Sequence, residues 1–170
     1  MKKIYTLITV LLTIVLFSAC GNKQVNLNPG KPANIAILTK DGNLPNLTTD
    51  QQRELDRVIQ WMDKDIIKDL RQAGFNAVLI KDRSKYSKNM GMLLIADVDA
   101  FNAGNRAARA FVGFGAGAAS LDMDYTLLNK TGDRLLSWKD GVGSSKGGTY
   151  CAQTLNGNTI NKLVEYLNGN

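Results

Sequence analysis

Two pairs of aspartates are the residues whose type and spacing could do chemistry. Asp97 and Asp99 alternate within one apolar stretch, and Asp122 and Asp124 alternate within another. If these stretches are neighbouring strands, four carboxylates crowd on one face at a cost in stability. A Ca²⁺ ion takes about six to eight oxygen ligands, but no EF-hand-like spacing is present. The sequence therefore favours basic counter-charges. The candidates are Arg106, Arg109, Arg134 and Lys139.

Histidine is absent from the chain of 170 residues. This excludes Ser-His-Asp and Cys-His catalysis, histidine proton shuttles and nearly all zinc sites built on imidazole. Any catalysis would have to use Asp, Glu, Lys, Tyr or Cys. We therefore expect a protein that is not an enzyme, with no catalytic, cofactor-binding or metal site.

A small-residue segment runs from Phe111 to Ala119 and holds glycines at every second position from Gly113 to Gly117. Its letters fit the G-x-G-x-x-G/A pattern, but a dinucleotide site needs a strand before this pattern and a helix after it. A strand-like sequence follows instead, which favours close packing of a helix or second sheet on bare backbone. A third interpretation is a hairpin that several copies contribute to a membrane barrel, although the alternating apolar pattern on both arms is missing.

Basic and aromatic side chains at this segment are candidates for contact with a partner. They are Arg106, Arg109, Phe111 and Phe114. The arginines would pair with acidic groups of that partner. The formal charge of +6 comes without a Lys/Arg cluster or an aromatic-interleaved basic face, so we expect no nucleic acid as partner.

The first 19 residues have the organisation of a signal peptide. Lys2 and Lys3 precede an uncharged run, Ile4 to Phe17, which is shorter than the roughly 20 residues of a spanning helix. The run closes with Leu-Phe-Ser-Ala-Cys-Gly at 16–21, which resembles the lipobox of bacterial lipoproteins. Phe17 stands where an aliphatic residue is usual.

The lipobox resemblance implies that Cys20 becomes the N-terminus and carries several acyl chains. Each buried CH₂ adds roughly 0.8 kcal/mol, so such a residue anchors firmly in a bilayer. Gly21, rather than aspartate, follows it, and by the same resemblance this favours the periplasmic face of the outer membrane. We interpret 20–32 as the lipidated cysteine with a flexible tether, and 33–170 as one globular domain. Cys151 then has no disulfide partner, and a partly buried small residue is favoured over a reactive thiol.

Hydrophobic periodicity predicts an α/β (α+β) fold with a mixed sheet of four to five strands, in the order β-α-β-β-β-β-α. Strands are predicted at 33–39, 75–80, 92–101, 118–129 and 134–140. In the third strand, Leu94, Ala96, Val98 and Ala100 share one face. A capping box at Thr49 and Gln52 opens a long helix, which stops at Gly74. Its apolar stripe is Leu55, Val58, Ile59, Met62, Ile66 and Leu70. Trp61 and Ile67 lie off the stripe, and we expect them to widen the buried face rather than to mark a contact patch. Residues 141–148 are predicted as a flexible loop, and a C-terminal helix begins either at Thr149 or near Asn158.

From Met92 onward the chain resembles a family of uncharacterised bacterial lipoproteins. The shared features are Arg106 and Arg109, the alternate glycines, the alternating strand, and a turn at Thr131-Gly132. The element order is also similar to small α/β domains of periplasmic adaptor lipoproteins, including activators of cell-wall synthases and secretion-pore lipoproteins. We therefore expect a membrane-anchored adaptor that binds another envelope protein. The alternative is an oligomeric lipoprotein subunit of an export or pore assembly.

Overall fold

The computed structural model describes residues 26–28, 33–105 and 117–169. Within these ranges the chain forms one five-stranded sheet and two long helices, which confirms the predicted fold class and element order. The elements are β1 (Ala33–Lys40), α1 (Thr49–Gln72), β2 (Phe75–Leu79), β3 (Met92–Asn102), β4 (Ala119–Leu128), β5 (Arg134–Ser144) and α2 (Gly148–Gly169). Short 3₁₀ helices at Arg83–Lys85 and Lys88–Met90 connect β2 to β3.

The sheet has two distinct ends, because its first three strands run in the same direction. The strand order is β2-β1-β3-β4-β5, with β1 parallel to both β2 and β3. The pairs β3–β4 and β4–β5 are antiparallel. We call the end at which β1, β2 and β3 finish the carboxyl end. At the opposite, amino end, Leu128 pairs with Leu93, so the β4–β5 turn lies there.

The side chains of β4 show that one face of the sheet is covered by the helices and that the other face is open at this strand. Its residues alternate strictly between buried and half-buried, as the sequence predicted. The buried side chains are Leu121, Met123, Tyr125 and Leu127. They belong to the core that both helices cover, whereas Ser120, Asp122, Asp124 and Thr126 point to the open face. Tyr125 stacks on Trp138 of β5 with ring centroids 4.8 Å apart, and burial raises the pKa of its phenol well above the ordinary value.

Helix α1 begins one residue earlier than the sequence predicted. Thr48 caps the helix: its hydroxyl accepts from the Gln51 amide, and the Gln51 side chain accepts from the Thr48 amide. The predicted box at Thr49 and Gln52 is wrong, because both residue pairs have the required spacing and letters alone do not separate them. The buried stripe is Leu55, Val58, Met62, Ile66 and Leu70. Ile59, Trp61 and Ile67 widen it from the sides, as expected for the last two.

A bulge in β3 changes which residues of that strand reach the core. Val98 pairs with Met123, but the next pair is Ala100 with Asp122, so Asp99 is the extra residue. A bulge changes the face of the sheet to which the following side chains point. Ala100 is therefore exposed, contrary to the sequence prediction, and Phe101 packs on the core instead.

The predicted flexible loop at 141–148 is largely absent. Strand β5 continues to Ser144, and α2 starts at Gly148, one residue before the earlier of the two predicted positions. Gly141 fits this strand because an ideal Cβ there would lie 2.1 Å from Asp122 Oδ1. Gly141, one of the glycines that suggested a loop, therefore lets β5 pass close to the Asp122 side chain on the open face.

A buried polar contact joins the two helices. Asn156 of α2 is fully buried, and its Nδ2 donates to Met62 O at 3.1 Å and to Asp65 Oδ2 at 3.0 Å. Asp65 is itself buried, and Lys68 Nζ lies 3.9 Å from its other oxygen. The amide therefore supplies the direct hydrogen bond that this buried carboxylate needs.

We predict that Asn156→Ala lowers the free energy of unfolding by about 2–3 kcal/mol, because Asp65 loses a charge-assisted hydrogen bond in a buried site. Asn158→Ala is the matched control, since its contact with Asp140 is exposed and should cost on the order of 0.5 kcal/mol. Urea unfolding of the three proteins measures the difference. Equal losses in the two variants would contradict a special role for the buried amide.

Candidate functional site

The residues that the sequence singled out for lipidation and partner contact lie outside the described residues. They are Cys20, Arg106, Arg109, Phe111 and Phe114. The described ends of the 106–116 segment do meet: the Asn105 amide donates to Gly117 O at 2.9 Å. Because Asn102 ends β3 and Ala119 begins β4, this segment leaves and re-enters the sheet at its carboxyl end.

The paired carboxylates come together on the open face, as expected for neighbouring strands. Asp97 lies directly opposite Asp124 across β3 and β4. Together with the bulged Asp99 and with Asn43, they border a small pocket of about 250 Å³. Asp122 is displaced from this group by the bulge and lies beside Gly141 instead.

Lys139 is the central counter-charge of this group. Its Nζ lies 3.0 Å from Asp124 Oδ2 and 3.3 Å from Asp99 Oδ2. The carboxylates of Asp124 and Asp99 raise the pKa of Lys139 above its ordinary value. Of the counter-charges predicted from sequence, Lys139 is therefore confirmed. Arg134 makes no ion pair in the described part of the chain, and Arg106 and Arg109 lie outside it.

Lys40 supplies a further counter-charge that sequence reasoning missed. It is the last residue of β1 and pairs in register with Asp97 of β3. Its Nζ lies 3.4 Å from Asp97 Oδ2. No local pattern could have joined residues so far apart in the chain, because their contact follows from the parallel pairing of β1 with β3.

A larger cleft adjoins this pocket at the carboxyl end of the sheet. It has a volume of about 640 Å³ and lies between the ends of β1 and β2 and the first half of α1. Its charged lining consists of Lys40, Lys81, Arg83, Asp41, Asp56, Asp82 and Asp97. Leu38 and Ile59 add apolar surface. The carboxyl ends of parallel strands are the usual ligand position in open α/β sheets.

The geometry of the cleft depends on side chains held by ion pairs and hydrogen bonds, and on a glycine in close contact with neighbouring backbone. Lys81 Nζ lies 2.5 Å from Asp63 Oδ2, and the Asp63 side chain is only 4% exposed. Hydrogen bonds from Ser84 lower the pKa of Asp82 below its ordinary value. Gly42, which borders both cavities, has a φ of +68°, and an ideal Cβ there would lie 2.1 Å from Val98 O. The cleft therefore presents charges of both signs in a defined arrangement.

Within 26–28, 33–105 and 117–169, no group of three or more His, Cys, Asp or Glu residues is arranged to hold a metal ion. No described helix is both long enough and apolar enough to cross a bilayer.

Buried Asp63 and Asp65 were missed by sequence reasoning, because their partners Lys81 and Asn156 lie in distant elements.

Residues 24–159 match the model of a family described as "Domain of unknown function (DUF4410)". The chain belongs to the DUF4410 family. This confirms the expected membership of an uncharacterised family. No curated protein matches this DUF4410 chain.

Solved structures similar to the DUF4410 chain are distant. A PelC dodecamer from Paraburkholderia phytofirmans has 13% identity and a TM-score of 0.48, with 81% of this chain and 88% of that one covered. A PelC variant dodecamer from the same bacterium has 12% identity and the same TM-score of 0.48, over 84% and 92%. A homolog of a neuraminyllactose-binding hemagglutinin from Helicobacter pylori has 9% identity and a TM-score of 0.35, over 85% and 89%.

Cys151 of this DUF4410 domain belongs to the core, away from the charged lining of the cleft. The residue is fully buried, and its Sγ lies 3.6 Å from Ala119 O. Burial raises the pKa of the Cys151 thiol, which disfavours the reactive thiolate. The sequence interpretation of a buried small residue is therefore confirmed.

We predict that Lys139→Gln lowers the Tm of the DUF4410 domain, because Asp99 and Asp124 lose their shared counter-charge. The loss should be larger at low salt, since salt screens repulsion between exposed carboxylates. Lys162→Gln is the matched control, because it removes the same charge from an exposed position of α2. Thermal unfolding at two salt concentrations measures both effects. Identical behaviour of the two variants would show that Lys139 does not hold the carboxylates together.

Proposed function

We propose that this DUF4410 protein is an envelope lipoprotein that binds another envelope protein without catalysing a reaction. Acyl chains on Cys20 would hold it at the periplasmic face of the outer membrane. The α/β domain would bind its partner at the carboxyl end of the sheet. The observation that carries this proposal is the mixed-charge cleft at that end.

The anchor rests on the order of features before the domain. A basic start, a short apolar run and the lipobox-like residues 16–21 precede the cysteine in the order of a lipoprotein signal. Asn26 and Leu27, a few residues later, already contact the domain. The cysteine and the folded domain are therefore close in the chain, as in a protein held near a surface.

The binding role rests on how the cleft distributes its charges. Lys40 and Lys81 each have a carboxylate partner, and both partners belong to other elements. The side chains of such pairs can form new ion pairs with charged residues of an incoming protein. Ion pairs of this kind fix the position of a partner and select for it, and they involve no proton transfer. Asp41, which no described residue contacts by an ion pair, adds an available negative charge at the rim. A partner surface with both acidic and basic residues fits this arrangement.

We predict that Cys20→Ala moves the protein from the membrane fraction to the soluble periplasmic fraction, because the acyl chains are lost. Cys151→Ala is the matched control and should stay with the membrane, since Cys151 is a core residue. Fractionation and intact mass of the mature protein measure the outcome. An unmodified sulfur at Cys20 in the mature wild-type protein would contradict the anchor.

The binding role predicts protein adducts at the cleft. A photo-crosslinking residue at Asp41 should capture a partner in intact envelopes, whereas one at Lys162 on the exposed side of α2 should capture little. Gel mobility and mass spectrometry identify the adducts. A clean monomer at Asp41 would contradict a binding role for this end. Adducts at multiples of the chain's own mass would favour the alternative, an oligomeric subunit of an export or pore assembly.

A further inference from the structure

We infer that the amino end of the sheet faces the bilayer and that the cleft at the carboxyl end faces away from it. This inference rests on the proposed acylation of Cys20. It adds an orientation, and it assigns the lipid headgroup surface as the neighbour of one particular end of the domain.

The first observation is how the chain enters the domain. The Leu27 amide donates to Ala73 O at 2.9 Å, and the Leu27 side chain packs against the core. The Asn28 amide donates to Asn168 Oδ1 at 3.1 Å, and Asn168 Nδ2 donates to Asn26 O at 3.2 Å. Residues 26–28 are therefore attached to the domain, although the sequence suggested a flexible tether there.

Both attachment points lie at the amino end of the sheet. Ala73 is the C-cap of α1, immediately before β2 begins at Phe75. Asn168 lies in the last turn of α2, a helix that starts beside Phe101 at the carboxyl end and runs back along the sheet. The entering chain therefore bridges the C-terminal ends of both helices.

The length of chain before this attachment limits how far the domain can be from the bilayer. Asn26 follows Cys20 by six residues, which span at most about 20 Å when fully extended. Ala73 follows the cleft-lining residues Asp56, Ile59 and Gln60 of α1 by 13 to 17 positions, so roughly 20–26 Å of helix separates the attachment from the cleft. The anchor can reach the amino end, whereas the cleft begins at the limit of this span.

The surface at the amino end suits lipid headgroups. Lys88 and Lys130 are exposed there, and neither makes an ion pair with a described residue. Each exposed cation near an anionic bilayer contributes a weak attraction. The β4–β5 turn that carries Lys130 is held by Asn129, whose Oδ1 accepts from the Thr131 and Asp133 amides at 2.9 Å each. The lysines would support an orientation that the attached chain already sets.

Fluorescence energy transfer to a headgroup-labelled lipid tests the orientation. Full-length acylated protein carries Cys151→Ala and a single dye site, either Lys130→Cys or Asp41→Cys, and is reconstituted into vesicles of phosphatidylethanolamine and phosphatidylglycerol. Flotation first separates bound from free protein. We expect severalfold stronger transfer from position 130 than from position 41. The same order is expected in phosphatidylcholine alone, because the attached chain rather than headgroup charge sets it.

A second pair of variants tests the cause of the orientation. Leu27→Pro combined with Asn168→Ala removes the Leu27 amide donor and both Asn168 hydrogen bonds, and it should make transfer from the two positions nearly equal, with circular dichroism verifying the fold. Asn158→Ala, an exposed change on the same helix, should keep the original order.

The outcomes separate this inference from the proposed function. Protein that does not float with the vesicles overturns both, because the anchor itself is absent. Floated protein with equal or reversed transfer overturns the orientation and leaves the anchor intact. An order that survives loss of the attachment, or that requires phosphatidylglycerol, overturns the attached chain as its cause.

Discussion

Burial of the sheet face that both helices cover is the constraint on which the rest of this structure depends, since the opposite face has only a smaller buried cluster, at Ala36, Leu38, Ile80 and Leu93. Both helices cover one face, so β4 must send Tyr125 and its apolar neighbours to that side and its aspartates to the other. The open face consequently collects carboxylates from β3 and β4, and like charges in direct opposition require cations. Lys40 and Lys139 come from the two flanking strands, so the charge network is a consequence of how the core was covered.

Patterns with a physical period predicted most of the fold. The alternation of β4 and the apolar stripe of α1 each identify the side chains that become buried in the core, and both predictions were confirmed. Where the prediction was wrong, a single residue decided between equivalent patterns. Thr48 and Thr49 can both form a capping box. The bulge at Asp99 turns Ala100 to the opposite face of the sheet, and no sequence pattern predicts that bulge. The glycines from Gly141 onward suggested a loop, although Gly141 lies in a strand that passes close to Asp122.

The candidate site was less predictable than the fold, because its members are separated in sequence. The carboxylates were visible as alternating pairs, and Lys139 could be named as a counter-charge. The cleft could not, since Lys40, Asp56 and Lys81 meet only after parallel strands align their ends. Buried Asp63 was equally hidden, because a charged residue on a helix is normally exposed and its partner Lys81 lies beyond the next strand.

The common direction of β1, β2 and β3 gives the domain its two different ends. Both helices begin at the carboxyl end and finish at the amino end, where helix carbonyls lack partners within the helix. The entering chain satisfies one of them directly, since the Leu27 amide donates to Ala73 O. Asn168 adds two more hydrogen bonds to the same short stretch. The attachment at this end therefore has a physical cause, and it leaves the strand ends and the charged cleft at the other end uncovered by the entering residues 26–28.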